Sequence, residues 1–296
     1  VFVHTRVPAL FPRLLAAILA PVLASILALF LVLALPGPSQ AQEAPRVLTG
    51  TTLIEDILAD LAQGALTLRT LIPAAACPGH ADLKTSDALF FQQARAVLLH
   101  DWQERMPMIR GLLATGGRPD GLVRTVPAPG NWMLPEAQAR ATEALAAILQ
   151  ELLPDRAAAI EERAKARLER VRAVDARLRA LARDKGLAGR PAICDAMQRP
   201  FLEWLGLDVV ADYGRFEEMN PERLAQAMTV AKARRAVLVA DNMQSTAGAG
   251  QGLAQDLAAA HVVLTNFPGV TPAADTWEKA LEWNVAQVVS ALESRQ

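Results

Sequence analysis

The stretch LLPDRAAAIEERAKARLERVRAVDARLRALA, Leu152 to Ala182, decides how the rest of the chain is read. Ile160, Ala164, Leu168, Val171, Val174, Leu178 and Leu181 recur at steps of three and four residues, the spacing of one helix face. Leu145, Ile148 and Leu152 carry the stripe upstream, so a helical region is expected from Pro135 to about Lys185. Pro154-Asp155 is the point at which it bends or is interrupted, because proline lacks a donor and crowds the preceding turn. Such a stripe suits a coiled-coil seam. It suits equally a spine helix laid along two lobes, and the flanking sequence chooses between them.

Upstream, RVLTGTT reads as a strand and LIEDILADLAQG as an amphipathic helix closed by Gly64. ALTLRTLIP reads as a second strand stopped by Pro73, and AVLLH, Ala96 to His100, as a third. WQERMPMIRGLLATGG is helical, with a break at Pro107. Downstream, RPAIC, DVVADYG, AVLVAD and HVVLTNFPG read as strands separated by helical segments, one of which starts at Asn220-Pro221 with Asn as its cap. Strand–helix alternation on both sides of one long helix predicts an α/β protein: two parallel-sheet lobes joined by a spine helix. The expected divisions are 1–41 as a leader, 42–134 as an N-terminal α/β lobe, 135–187 as the connecting helix and 188–296 as a C-terminal α/β lobe.

The leader follows its own rules. Arg6 and Arg13 precede an uncharged run from Leu14 to Leu35, and Ser39-Gln40-Ala41 has the small-x-small form of a cleavage site. That order is a secretory signal peptide; an uncleaved anchor is the alternative, since the apolar run is long enough to span a bilayer. Either way the body of the protein is expected outside the inner membrane, in a bacterial periplasm where disulfides form. With 30 Lys+Arg against 31 Asp+Glu, no basic field is available to hold nucleic acid, and 5% aromatic content leaves little for a base-stacking surface.

In open parallel sheets, ligands sit beyond the carboxyl ends of the strands. That rule selects His80 after ALTLRTLIP, His100 at the end of AVLLH, Cys194 at the end of PAIC and Asp241 at the end of AVLVAD, two from each lobe. Facing one another across a cleft, they would make a mixed N/S/O site suited to zinc. Cys194 has two other readings, a buried apolar residue or a disulfide partner of Cys77. His261 begins a strand, at the wrong end of the sheet, and reads as structural.

The loop CPGHADLKTSD, Cys77 to Asp87, resembles that of zinc and manganese ABC-transporter solute-binding proteins, in which the first metal-binding His precedes a Pro-Ser-Asp helix start; here Thr85 stands in place of that Pro. RVLTGTTLIEDILADLAQGALTLRTLIP, the Leu152–Ala182 helix, ADNMQS and LTNFPG are similar to further segments of that family, in the same order. The resemblance implies a periplasmic receptor rather than an enzyme, one that captures zinc, or next manganese, as cargo and delivers it to a membrane permease as a monomer without an organic cofactor. His80 and Asp241 match the family's ligand positions. The family's second His segment is replaced by APGNWMLP, Ala128 to Pro135, and its third by Cys194 or Asp195. Three other functions remain open. A larger ligand such as a corrinoid, haem or siderophore would need an aromatic-lined cleft, with Trp102, Trp132 and Trp204 as candidates. A metal hydrolase would use His80 and His100 with Glu104 as base, although neither HExxH nor GxSxG is present. A helical scaffold would use the long stripe as a dimer seam.

Overall fold

The computed structural model describes residues 43–114, 123–215, 218–245 and 248–294. The expected leader and its cleavage site lie outside the described residues. Among those described, no helix is long and apolar enough to cross a membrane.

Among the described residues, eight strands form two four-stranded sheets, all parallel. The first contains β1 (Arg46–Thr51), β2 (Thr67–Ile72), β3 (Ala96–Leu99) and β4 (Val123–Thr125), in the order β2-β1-β3-β4. The second contains β5 (Pro191–Cys194), β6 (Asp208–Asp212), β7 (Leu238–Asn242) and β8 (Ala260–Leu264), in the order β6-β5-β7-β8. The two orders are the same. In each lobe the chain steps outward from the first strand, then returns to its other side, which leaves a switch point between β1 and β3 and another between β5 and β7.

The connecting helices in the first lobe are α1 (Thr52–Ala62), α2 (Thr85–Gln93) and α3 (Pro107–Ala114). The long helical region is interrupted at Pro154, the point the sequence marks for a bend or break: α4 (Pro135–Leu152) ends where Leu153 turns to φ −132° and ψ 63°, and α5 (Ala157–Asp184) begins after a short 3-10 turn. The spine is therefore α5 alone, 28 residues or about 42 Å at 1.5 Å per residue, and α4 packs against it. The second lobe adds α6 (Arg199–Trp204), α7 (Pro221–Arg234), α8 (Gly250–Leu257) and α9 (Trp277–Glu293). Asn220 caps α7 as its sequence predicts, its side chain accepting from the Arg223 N–H with Pro221 at the first helical position. The turn after α1 already adopts the left-handed conformation at Gln63 (φ 44°), one residue before Gly64 (φ 78°).

Period-two alternation sorts each sheet between two cores. Val47, Leu98, Ala192, Cys194, Ala240 and Leu264 face one cluster that continues through Leu145, Ile160, Val171 and Leu178 of α4 and α5 and Trp277, Leu281 and Val288 of α9. The stripe on α5 is thus spent inside its own chain, which removes the reading of a dimer seam. On the opposite faces, Leu48, Ile72, Val97 and Leu99 build a separate core in the first lobe, and Ile193, Tyr213, Val239 and Ala254 build another in the second. One core shared by both sheets makes the spine side of the molecule stiff. Polar ties reinforce it: Thr52 Oγ1 donates to the Pro268 carbonyl at 2.8 Å, and Trp277 Nε1 to the Met133 carbonyl at 3.2 Å.

Candidate functional site

A cavity of about 670 Å³ opens at the carboxyl ends of the strands. Each of the eight strands feeds it at least one lining residue, from Leu53 after β1 to Asn266 after β8, so it lies over both switch points.

The first-lobe wall is built around His100. It follows β3, is 4% exposed, and its Nε2 lies 2.8 Å from Thr51 Oγ1 at the end of β1. Trp132 meets its ring edge-on at 4.1 Å between centroids, and Trp102 stacks on it at 5.4 Å. The His100 N–H donates to Gln103 Oε1 at 3.0 Å, and Gln103 Nε2 donates to the Gly50 carbonyl at 3.0 Å. Gly50 is glycine for a steric reason: a Cβ there would come within 1.9 Å of Gln103 Oε1. Burial pushes the His100 imidazole down to about 3, so the ring is neutral in neutral solution. If Thr51 accepts from Nε2–H, the Nδ1 lone pair is the one left to a ligand, with Thr51 as its orienting partner.

A pH dependence follows from that burial. The unfolded chain takes up a proton on this His near its ordinary value of 6.5, and the folded chain only near 3. Between them the unfolded state binds more protons, so stability falls as pH drops through that window and is complete above it. Urea titrations at pH 7 and pH 4.5 should show His100→Gln losing less stability on acidification than the parent. Equal losses would mean that His100 does not carry this dependence.

His80 closes the short 3-10 turn Pro78–His80, which follows β2 by way of Cys77, and stands exposed at the rim of the cavity. Its loop is held from below. Asp87 accepts from the Lys84 N–H at 2.9 Å and from Arg69 Nε of β2 at 2.7 Å, so Asp87 is a cap and an anchor.

The second-lobe wall carries the amides of Asn242, Gln244 and Asn266, with Ser245, Arg215 and the apolar Met197 and Phe267 beside them. Asn266 Nδ2 and Gln198 Nε2 both donate to Asn242 Oδ1 at 3.2 Å. The Asn266 N–H donates to Gln244 Oε1 at 3.0 Å, and Gln244 Nε2 reaches across to the Ala74 carbonyl of the first lobe at 2.8 Å. Asp195 is fully buried; it accepts from the Met197 N–H at 2.7 Å and from Ser245 Oγ at 3.0 Å.

Of the four ligands expected from the sequence, His80 and His100 line this cavity, whereas Cys194 and Asp241 do not. Cys194 requires correction because its side chain faces the shared core; it is fully buried, and burial pushes its thiol up, away from the thiolate a metal would need. No disulfide joins it to Cys77, which lines the cavity. Asp241 requires correction for the same alternation in the other direction. It shares the outer face of β7 with Val239, where it accepts from Tyr213 Oη at 2.5 Å, from the N–H groups of Gly248 and Gly250 at 2.9 Å, and pairs with His261 Nε2 at 2.8 Å. The next residue, Asn242, is the one that lines the cavity. His261 is structural, as expected. Trp102 and Trp132 line the cleft; Trp204 instead packs on Phe201 and beneath Arg179. Glu104 bonds the Thr125 hydroxyl. Among the described residues no group of three or more His, Cys, Asp or Glu converges on one point. The amides of Asn242, Gln244 and Asn266 were not singled out from the sequence, although ADNMQS and LTNFPG carry them.

Comparison with known proteins closes the question of kinship. No curated protein matches the chain. The zinc-binding protein TroA of Treponema pallidum shares the fold at 16% identity and a TM-score of 0.72, covering 84% of this chain and 99% of its own. The manganese-bound periplasmic metal-binding protein of Candidatus Liberibacter asiaticus does so at 17% identity and 0.69, with the same coverage; its cadmium-bound form matches at 16% and 0.69. A family model described as zinc-uptake complex component A, periplasmic, matches residues 47–291. This chain therefore belongs to that family of periplasmic metal-binding receptors, which is not a class of enzymes.

Proposed function

We propose that this protein is an exported receptor that captures a divalent transition metal, zinc ahead of manganese, in the cleft between its lobes and hands it to an ABC-transporter permease. The observation that carries the reading is the presence of two first-lobe imidazoles, His80 and His100, on one cavity at the strand ends. Imidazole nitrogen favours zinc over manganese, which is better served by carboxylates. The metal is cargo, and no resident organic cofactor is invoked. Residues 1–41 serve as the export signal, and the receptor works as a monomer. Its work is a population shift between open and closed forms, kept small in amplitude by the core that both sheets share.

The test is elemental analysis and calorimetry on the purified protein beside His80→Ala. The parent is expected to hold about one metal per chain, and the variant to bind it more than roughly tenfold more weakly, a loss of about 1.4 kcal/mol or more. Equal metal content in both would remove His80 and, with it, this reading of the cleft. A second reading, a larger ligand such as a corrinoid, haem or siderophore, is favoured by the cavity's size and by Trp102 and Trp132 on its wall. It would be selected by a change in tryptophan emission with such a ligand and none with zinc.

A further inference from the structure

We infer that the metal enters this cleft as a charge-neutral chelate: a divalent ion whose two charges are cancelled by a small anionic organic chelator, with His80 filling one remaining coordination position. The inference rests on the receptor reading above and specifies the form of its cargo.

Charge is the first argument. Among the described residues no carboxylate and no buried thiolate lines the cavity. The uncharged polar side chains of the second-lobe wall are the amides of Asn242, Gln244 and Asn266 and the hydroxyl of Ser245, and the charged residue on that side, Arg215, is a cation paired with Glu218 at 3.1 Å. A bare divalent ion closed into such a site gives up its hydration without meeting a compensating charge, which is costly in a low-dielectric setting. A neutral chelate gives up little.

Size and surface agree. Six waters around an ion fill roughly 200 Å³ at ~30 Å³ each, whereas the cavity holds about 670 Å³, within the range of small organic ligands. Its wall carries Leu53, Met197, Phe267 and the indoles of Trp102 and Trp132, surface that a hydrated ion does not use and an organic body covers. Trp102 and Met197, 38% and 43% exposed, keep apolar surface open on this wall.

An unmet hydrogen bond supplies an independent sign of a ligand. Asn266 is 9% exposed and lines the cavity, and its Oδ1 has no hydrogen-bond partner. A buried acceptor left so costs about 1–3 kcal/mol. It is suited to a donor that arrives with the cargo, such as a water still bound to the chelated metal.

The experiment uses the metal-free protein and four probes: zinc ion alone, the neutral zinc bis-picolinate complex, the anionic zinc nitrilotriacetate complex, and picolinate alone, each followed by calorimetry and tryptophan emission. The bis-picolinate complex is expected to bind at least tenfold more tightly than zinc ion, with an emission change lost in Trp102→Ala, whose side chain is exposed enough to leave the fold intact. Asn266→Asp, checked for folding by thermal melting, should reverse the order and favour the bare ion. Zinc ion binding as tightly as the bis-picolinate complex, or tighter, would overturn the chelate inference and leave the receptor reading standing. Nitrilotriacetate complex or picolinate alone binding equally well would overturn the argument from neutrality or from metal. No binding of zinc in any form would sink the receptor reading as well.

Discussion

Arg167→Ala is expected to destabilise the protein by about 3–5 kcal/mol, the cost of breaking a buried ion pair by removing one partner. Arg167 sits at the centre of α5 and is 1% exposed. Its Nη2 donates to Asp56 Oδ2 at 2.6 Å and its Nη1 to Asp60 Oδ2 at 2.9 Å, both on α1. Asp56 Oδ1 also accepts from the Trp277 N–H at the start of α9, at 3.3 Å. One carboxylate thus links the spine, the first lobe and the last helix of the second. Burial already holds the Asp56 carboxyl above its usual value, against the pull of Arg167. Without the guanidinium, that carboxyl is driven higher still. A carboxyl with a raised folded value costs stability above that value and recovers it as pH falls, so the deficit of the variant should shrink in acid. Adding Asp56→Asn should restore part of the loss, and urea denaturation of the two single variants and the double one measures the coupling. A deficit under 1 kcal/mol at neutral pH would mean that the shared apolar core alone holds the lobes to the spine.

Asp241→Ala should cost a similar amount, about 3–5 kcal/mol, for an unrelated reason. Its fully buried carboxylate gathers Tyr213 Oη, His261 Nε2 and the N–H groups of Gly248 and Gly250 at the start of α8. Removing it leaves several buried donors unmet at roughly 1–3 kcal/mol each, offset in part because Tyr213 Oη keeps the Ala240 carbonyl at 2.9 Å and His261 reaches solvent. The carboxylate is closely packed: a methyl group on Gly250 would lie 2.6 Å from Asp241 Oδ1. Ligand affinity of the folded fraction should stay within about twofold of the parent. The contrast with His80→Ala is the useful part. One substitution removes stability and spares binding, the other does the reverse. Lost binding with unchanged stability in Asp241→Ala would return this residue to the metal.

The closing motion proposed above would be constrained by the same arrangement. Cavity residues sit on loops after the strands, whereas the opposite side is one continuous core through α4, α5 and α9. Small shifts of the rim around His80 and Met197 are compatible with that core; a wide separation of the lobes would have to tear it.

Hydrophobic period, helix caps and turn residues, all local, were enough to give the α/β class, the two lobes and the spine from sequence alone. They sufficed because the inner strands β1, β3, β5 and β7 are buried on both faces and the long helices on one, so their periods are written directly into the chain. Where local signal was thin the reading was incomplete: β4 has three half-buried residues and left no pattern. The strand-end rule likewise brought His80 and His100 to the cavity. It does not say which way a side chain points at the last residue of a strand. In β7 the alternation sends Asp241 to the outer face and Asn242 to the cleft, and in β5 it sends Cys194 into the shared core. One residue of register separates a charged metal site from a wall of neutral amides, and only packing of both faces of the sheet decides it.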